Sequence, residues 1–121
     1  MKSNVYFIDL RASAKENLVD KLARLLDTAG LSDTIKEREL VAVKLHFGEK
    51  GNTAFIRPVF IQKIVESIKD IGGYPFLTDA NTVYAGTRSD SPHHVSTAIQ
   101  NGFAYSVAVS YTHLRAHETK A

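Results

Sequence analysis

The apolar pattern of the chain predicts an α/β fold: an incomplete three-layer αβα domain with a mainly parallel sheet, in the order β-α-β-α-β-α. Three observations predict it. Short β-branched or aromatic runs alternate with stretches whose apolar residues recur at helical spacing. The run Leu40 to Phe47 is apolar at Val41, Val43, Leu45 and Phe47 and nearly continuous, as suits a parallel strand covered on both faces. Two polar, glycine-bearing stretches, Gly48 to Arg57 and Asp79 to Ser91, each follow a strand, so a parallel sheet would deliver both to one edge.

Asn4 to Leu10 is short, β-branched and aromatic and reads as a first strand. Ser13-Ala14-Lys15-Glu16 fits a capping box, with the serine oxygen serving one free amide and the glutamate reaching back to another. Leu18, Val19, Leu22, Leu25, Leu26 and Ala29 then mark one buried helical face, which Gly30 can end in the left-handed conformation. Leu31 to Glu39 is charged and without clear period, with room for a short helical turn.

The second strand is Leu40 to Phe47, in which Lys44 either reaches toward the polar edge or marks a face left partly open. Pro58 suits the first turn of the next helix, where its missing N–H is not needed. Phe60, Ile61, Ile64, Val65, Ile68 and Ile71 form that helix's buried stripe, and Gly72-Gly73 stops it. Tyr74 to Thr78 is the third strand, with Pro75 tolerable near its start. The loop Asp79 to Ser91 is long for a strand-to-helix connection, a trait of functional loops. Ser91-Pro92 resembles a cap followed by proline, and Val95, Ala98 and Ile99 make a short apolar stripe that ends at Gly102.

Composition narrows the function classes. A net charge of +2 with scattered Lys and Arg does not describe a nucleic-acid binder. No run is long enough to cross a bilayer, and no export signal opens the chain, so the expectation is a cytoplasmic protein with no membrane partner. With no cysteine the chain can form neither a disulfide nor a thiolate-ligated cluster. The dinucleotide glycine fingerprint, the phosphate-binding loop and the serine nucleophile elbow are all missing.

Val109 to Thr119 is identical to one reading frame of a transposase-type sequencing-library adaptor. On that reading, residues 1–107 are the N-terminal part of a single α/β domain and 108–121 a non-native tail. The natural sequence would leave off near Ser106 to Ala108, in a truncated, metagenomic-assembly fragment. His113, His117 and Glu118, which imitate a helical metal-ligand pair, are set aside with the tail.

The rim residues carry the candidate chemistry, each beside a plainer alternative. His46 ends a strand next to Gly48 and reads as a proton carrier or ligand contact, or as a histidine bonded at the sheet edge. Asp79 sits at the predicted ligand edge, where it moves a proton or caps its own turn; Asn81 and Thr82 share the turn alternative. Gly48, Gly51 and Asn52 form an amide-lined concavity for an anion, or a simple turn. Arg57 and Arg88 are bidentate clamps for carboxylate or phosphate, or solvated surface charges. Tyr84 stacks on a ligand or packs on the core. His46, Asp79 and His94 share one edge but lack close ligand spacing, so no metal site is assigned.

From Val41 to Phe103 the chain resembles the bacterial and archaeal DUF362 family of unknown function. The motifs that carry the resemblance are Lys-Leu-His-Phe-Gly-Glu at 44–49, Gly-Asn at 51–52 and Arg-Pro at 57–58. Gly-Gly-Tyr-Pro-Phe-Leu-Thr-Asp-Ala-Asn-Thr-Val-Tyr at 72–84, Gly-Thr-Arg at 86–88, His94 and Asn-Gly-Phe at 101–103 complete it. Members are often described as iron–sulfur centre proteins, because some carry a ferredoxin-type domain farther along. The resemblance implies an N-terminal fragment of an uncharacterised protein linked to iron–sulfur or redox metabolism. A four-iron four-sulfur cluster would belong to the full-length parent and no cofactor to this chain. The partners expected are a small-molecule or anionic ligand and the missing C-terminal part of the parent.

The leading expectation is a small anionic or metal-associated ligand held at the C-terminal edge of the sheet. Its contacts would be Gly48, Glu49, Gly51, Asn52, Arg57, Asn81, Thr82, Tyr84, Arg88 and His94, with His46 and Asp79 in catalytic roles. Two alternatives stay open: a non-catalytic module using the same rim, or a fragment without autonomous function because its sheet edges are unburied.

Overall fold

Among the described residues, three parallel strands and four helices make up the α/β fold; the computed structural model describes residues 1–105 and the backbone of 112–115. The elements run α1 (Leu18–Thr28), α2 (Leu31–Thr34), β1 (Leu40–Lys44), α3 (Pro58–Ile71), β2 (Tyr74–Ala80), α4 (Ser91–Gln100) and β3 (Thr112–Arg115). The sheet order is β1-β2-β3, parallel throughout. Leu40 pairs with Tyr74 and Lys44 with Thr78 on one side of β2, and Leu77 to Ala80 pair with Thr112 to Arg115 on the other. The expected end of the natural sequence at 106–108, and His117 with Glu118, lie outside the described residues.

The strand expected at Asn4 to Leu10 does not form. These residues run without a ladder partner, and Val5, Phe7 and Leu10 are exposed. Local β propensity is a weak force without a neighbouring strand to bond and pack against. The segment is held instead by polar contacts. Lys21, on α1, donates through Nζ to Asp9 Oδ1 and to the Arg11 carbonyl, both at 2.6 Å. The third member of the sheet is β3, from within the segment set aside in sequence as a tail. A parallel ladder is made by backbone groups, so an open edge of β2 serves any extended segment that reaches it.

The cap of α1 also differs. Asn17 and Asp20 form the capping box, while Ser13 Oγ accepts from the Lys15 and Glu16 amides in a turn ahead of the helix. Glu16 is drawn away to Arg24, which it meets through two hydrogen bonds. Gly30, at φ +83°, follows the helix end as expected and leads into α2.

Helices α3 and α4 cover one face of the sheet. Phe47, Ile61, Val65, Leu77, Ala98 and Phe103 form one cluster, joining β2 to α3 and α4 on that face. Along β1 the odd residues are half-buried, whereas Leu40, Ala42 and Lys44 are exposed. Covering of both faces, expected for Leu40 to Phe47, is not seen along β1, where Lys44 is exposed, whereas Thr78, its register partner on β2, is buried. Helix α1 packs on α3, not on the sheet. An apolar cavity of about 280 Å³ lies among Ile8, Leu10, Leu18, Leu22, Phe60 and Ile64, apart from the polar rim.

Candidate functional site

Parallel strands put the ends of β1 and β2 on one edge, and a short set of backbone bonds shapes that edge. The Leu45 amide donates to the Thr78 carbonyl, carrying the ladder one step past β1. Phe47 then turns into the core, fully buried. Gly48 follows at φ +83°, where an added Cβ would lie 2.6 Å from Asn101 Nδ2 and 2.7 Å from Phe55 Cδ1. That closeness has a purpose: Asn101 Nδ2, at the end of α4, donates to the Phe47 carbonyl at 2.8 Å. The Gly48 amide donates to His46 Nδ1, so the exposed histidine is oriented by the same turn.

On the β2 side, Asp79 accepts from the Ala80 amide and lies half-buried. The loop after it closes on itself, with the Thr82 amide donating to the Arg88 carbonyl and Thr82 Oγ1 to the Tyr84 carbonyl. This returns Arg88 to the sheet edge. Asp90 caps α4 by accepting from the His93 amide, in place of the serine expected in that role. Ser91 and Pro92 follow inside the first turn. His93 stays outside against Asp90, while His94 turns inward and is 0% exposed. The buried face of α4 is His94, Thr97 and Ala98; Ile99, expected in the stripe, is exposed.

These side chains meet in one network. Arg88, 6% exposed, donates through Nε to Glu49 Oε1 at 2.6 Å and through Nη2 to the Tyr84 hydroxyl at 2.6 Å. Its Nη1 stands 3.8 Å from Asp79 Oδ2. Glu49 also accepts from Thr87 Oγ1 and the Tyr84 hydroxyl. The hydrogen bond from Arg88, aided by Thr87, holds the Glu49 carboxyl below its ordinary range.

His94 is held by two contacts. Its ring meets Phe47 edge-on at 5.7 Å. Asn81 Nδ2 donates to Ser91 Oγ, which turns Asn81 Oδ1 toward His94 Nδ1 at 3.0 Å. An amide oxygen only accepts, so Nδ1 carries the proton and Nε2 presents a lone pair. Nε2 has no hydrogen-bond partner among the described residues and faces Asp79 Oδ2 at 3.6 Å. Burial pushes the His94 pKa below its ordinary value; Asp79 opposes that shift and Arg88 adds to it.

Of the residues expected at the rim, Glu49, Asp79, Asn81, Tyr84, Arg88 and His94 converge, with Thr82 closing their loop. Gly48 supports them through Asn101, and His46 stands at the exposed side. Gly51, Asn52 and Arg57 lie outside the network: Asn52 closes a local turn on the Ala54 amide, and Arg57 precedes α3 without a side-chain cap. Thr87 and Asn101 belong to the network but carried no role in the sequence reading, although both stand within motifs of the family resemblance. Among the described residues no three His, Asp or Glu side chains converge on a metal position. No helix there is long and apolar enough to cross a membrane.

A family model described as Domain of unknown function (DUF362) matches residues 41–120, a span that contains every residue of the rim. No curated protein matches the chain, and no solved structure does.

Proposed function

This chain belongs to the DUF362 family, a domain of unknown function, and on that premise we propose that its rim binds a small anionic or metal-associated ligand. The observation that carries the reading is His94 Nε2, buried without a partner beside the Asp79 carboxylate. Leaving a buried polar atom unsatisfied costs about 1–3 kcal/mol, which a bound group would recover. In this reading Arg88, held in place by Glu49 and Tyr84, supplies fixed positive charge. Asp79 and the exposed His46 are the groups that exchange protons with the ligand.

The link to iron–sulfur or redox metabolism is part of the same proposal and concerns a longer parent, since the chain has no cysteine. So is the adaptor origin of 109–121. The uninterrupted gene tests both: cysteine ligands downstream support the first, and absence of the adaptor string from the underlying DNA refutes the second.

The binding reading is tested by titrating the ¹⁵N-labelled chain with inorganic phosphate and with citrate. Saturable shifts centred on the amides of Glu49, Asp79, Asn81 and Arg88, weakened in Arg88→Met, are the expected result. Shifts scattered over the surface lysines, or unchanged in that variant, would end it.

A further inference from the structure

The gap between His94 and Asp79 has a size that discriminates among possible fillers. At 3.6 Å, Nε2 and Oδ2 are too far apart for a direct hydrogen bond, and with the Nδ1 proton directed at Asn81 both are acceptors. A water donating to both, at O···acceptor distances near 2.8 Å, would hold its two acceptors about 4.4 Å apart. A tetrahedral ion bound to an imidazole nitrogen and a carboxylate oxygen at about 2.0–2.1 Å would hold them about 3.4 Å apart. The observed spacing is closest to the last.

We infer that His94 Nε2 and Asp79 Oδ2 form a two-donor seat for a divalent first-row cation, whose remaining coordination positions are filled by the oxygens of an anionic ligand. The inference rests on the rim being a ligand site and names what the ligand brings with it. Imidazole with carboxylate is a borderline donor set, suited to an ion such as Zn²⁺. Second contacts hold both donors in place: Asn81 fixes the His94 tautomer, and the Ala80 amide occupies Asp79 Oδ1, leaving Oδ2 to face the gap. Asp79 supplies the negative charge at the seat, with Arg88 Nη1 3.8 Å from the same Oδ2. Two protein donors hold an ion only weakly by themselves, and no third His, Asp or Glu converges here among the described residues. The anion thus completes and tightens the site, and the cation in turn offsets its charge beside two carboxylates.

The test is a titration of the 121-residue chain with Zn²⁺, alone and with phosphate, read by long-range ¹H–¹⁵N spectra of the imidazole rings. The metal-free His94 ring is expected to show a proton on Nδ1 and none on Nε2. Zn²⁺ should shift the His94 Nε2 resonance saturably, at several-fold lower concentration when phosphate is present, and Asp79→Asn should weaken that shift at least tenfold. A proton on Nε2, Zn²⁺ shifts confined to the other histidine rings, or an undiminished shift in folded Asp79→Asn would each overturn the inference. Should Asp79→Asn not fold, the wild-type spectra decide alone, through which nitrogen of which ring responds. Phosphate or citrate binding at the rim that is indifferent to Zn²⁺ would leave the ligand reading standing and remove the cation from it.

Discussion

Arg88 and Glu49 are 39 positions apart in the chain, yet Arg88 Nε and Glu49 Oε1 are 2.6 Å apart. This contact joins the loop after β1 to the loop after β2, and the two ends of the pair differ in their access to water. The Arg88 side chain is 7% exposed and that of Glu49 33%.

That asymmetry orders two substitutions. Arg88→Met keeps much of the volume and leaves a carboxylate that water can reach, costing about 1–3 kcal/mol, below the ~3–5 kcal/mol typical of breaking a fully buried pair. Glu49→Ala leaves a guanidinium with Asp79 at 3.8 Å as its nearest counter-charge, and should cost more. Urea melts of the two variants check the order.

The same pair sets an acid response. Because Arg88 holds the folded Glu49 pKa below the ordinary 4.5, its contribution is complete above that pH and is lost as pH falls through the lower folded value. The wild-type melting temperature should therefore fall more steeply below about pH 4.5 than that of Glu49→Gln. Asp9, Glu16 and Asp90 are shifted in the same direction and are common to both chains, so the difference between the curves isolates Glu49.

Two loop glycines should respond differently to alanine. Gly48 and Gly51 both have positive φ, at +83° and +82°. At Gly51 nothing lies within 4 Å of an added Cβ, so Gly51→Ala costs only the left-handed conformation, about 1–2 kcal/mol. At Gly48 the methyl would also displace Asn101 Nδ2 and Phe55, adding an overpacking cost of about 1–3 kcal/mol. Thermal melts compare them, and in Gly48→Ala the Asn101 side-chain amide resonance should move as its bond to Phe47 is lost.

The N-terminal segment should be releasable without unfolding the sheet. Asp9→Asn weakens its tie to Lys21, so trypsin should cut after Arg11 and Lys15 several-fold faster while the melting transition of the remainder changes little. Cleavage rates followed by mass spectrometry check this.

The sequence made β1, α3, β2 and α4 legible because each carries local punctuation. Pro58 and Gly72-Gly73 bracket α3, and Pro92 opens α4. Alternation within Leu40 to Lys44 was harder to read, since Val, Ala and Leu are all apolar and only burial separates the two faces. Asn4 to Leu10 has strand composition, but pairing is a tertiary matter that composition does not encode. At the rim, Asp79, Arg88 and His94 could be picked out by residue type and by following strand ends. Which arginine meets which acid could not. Arg57 and Arg88 look alike in sequence, and only the folding back of the loop through Thr82 and Arg88 brings one of them to Glu49. The inward turn of His94 beside the outward His93 depends on where α4 begins, and that start is shifted by the Asp90 cap.

Lys21 has a practical use. Its ammonium is enclosed between Asp9 and the Arg11 carbonyl, and the residue is 8% exposed. Amine-directed labels should therefore bypass it while the first residues stay docked and mark it once they lift, making the modification of one lysine a reporter of that event.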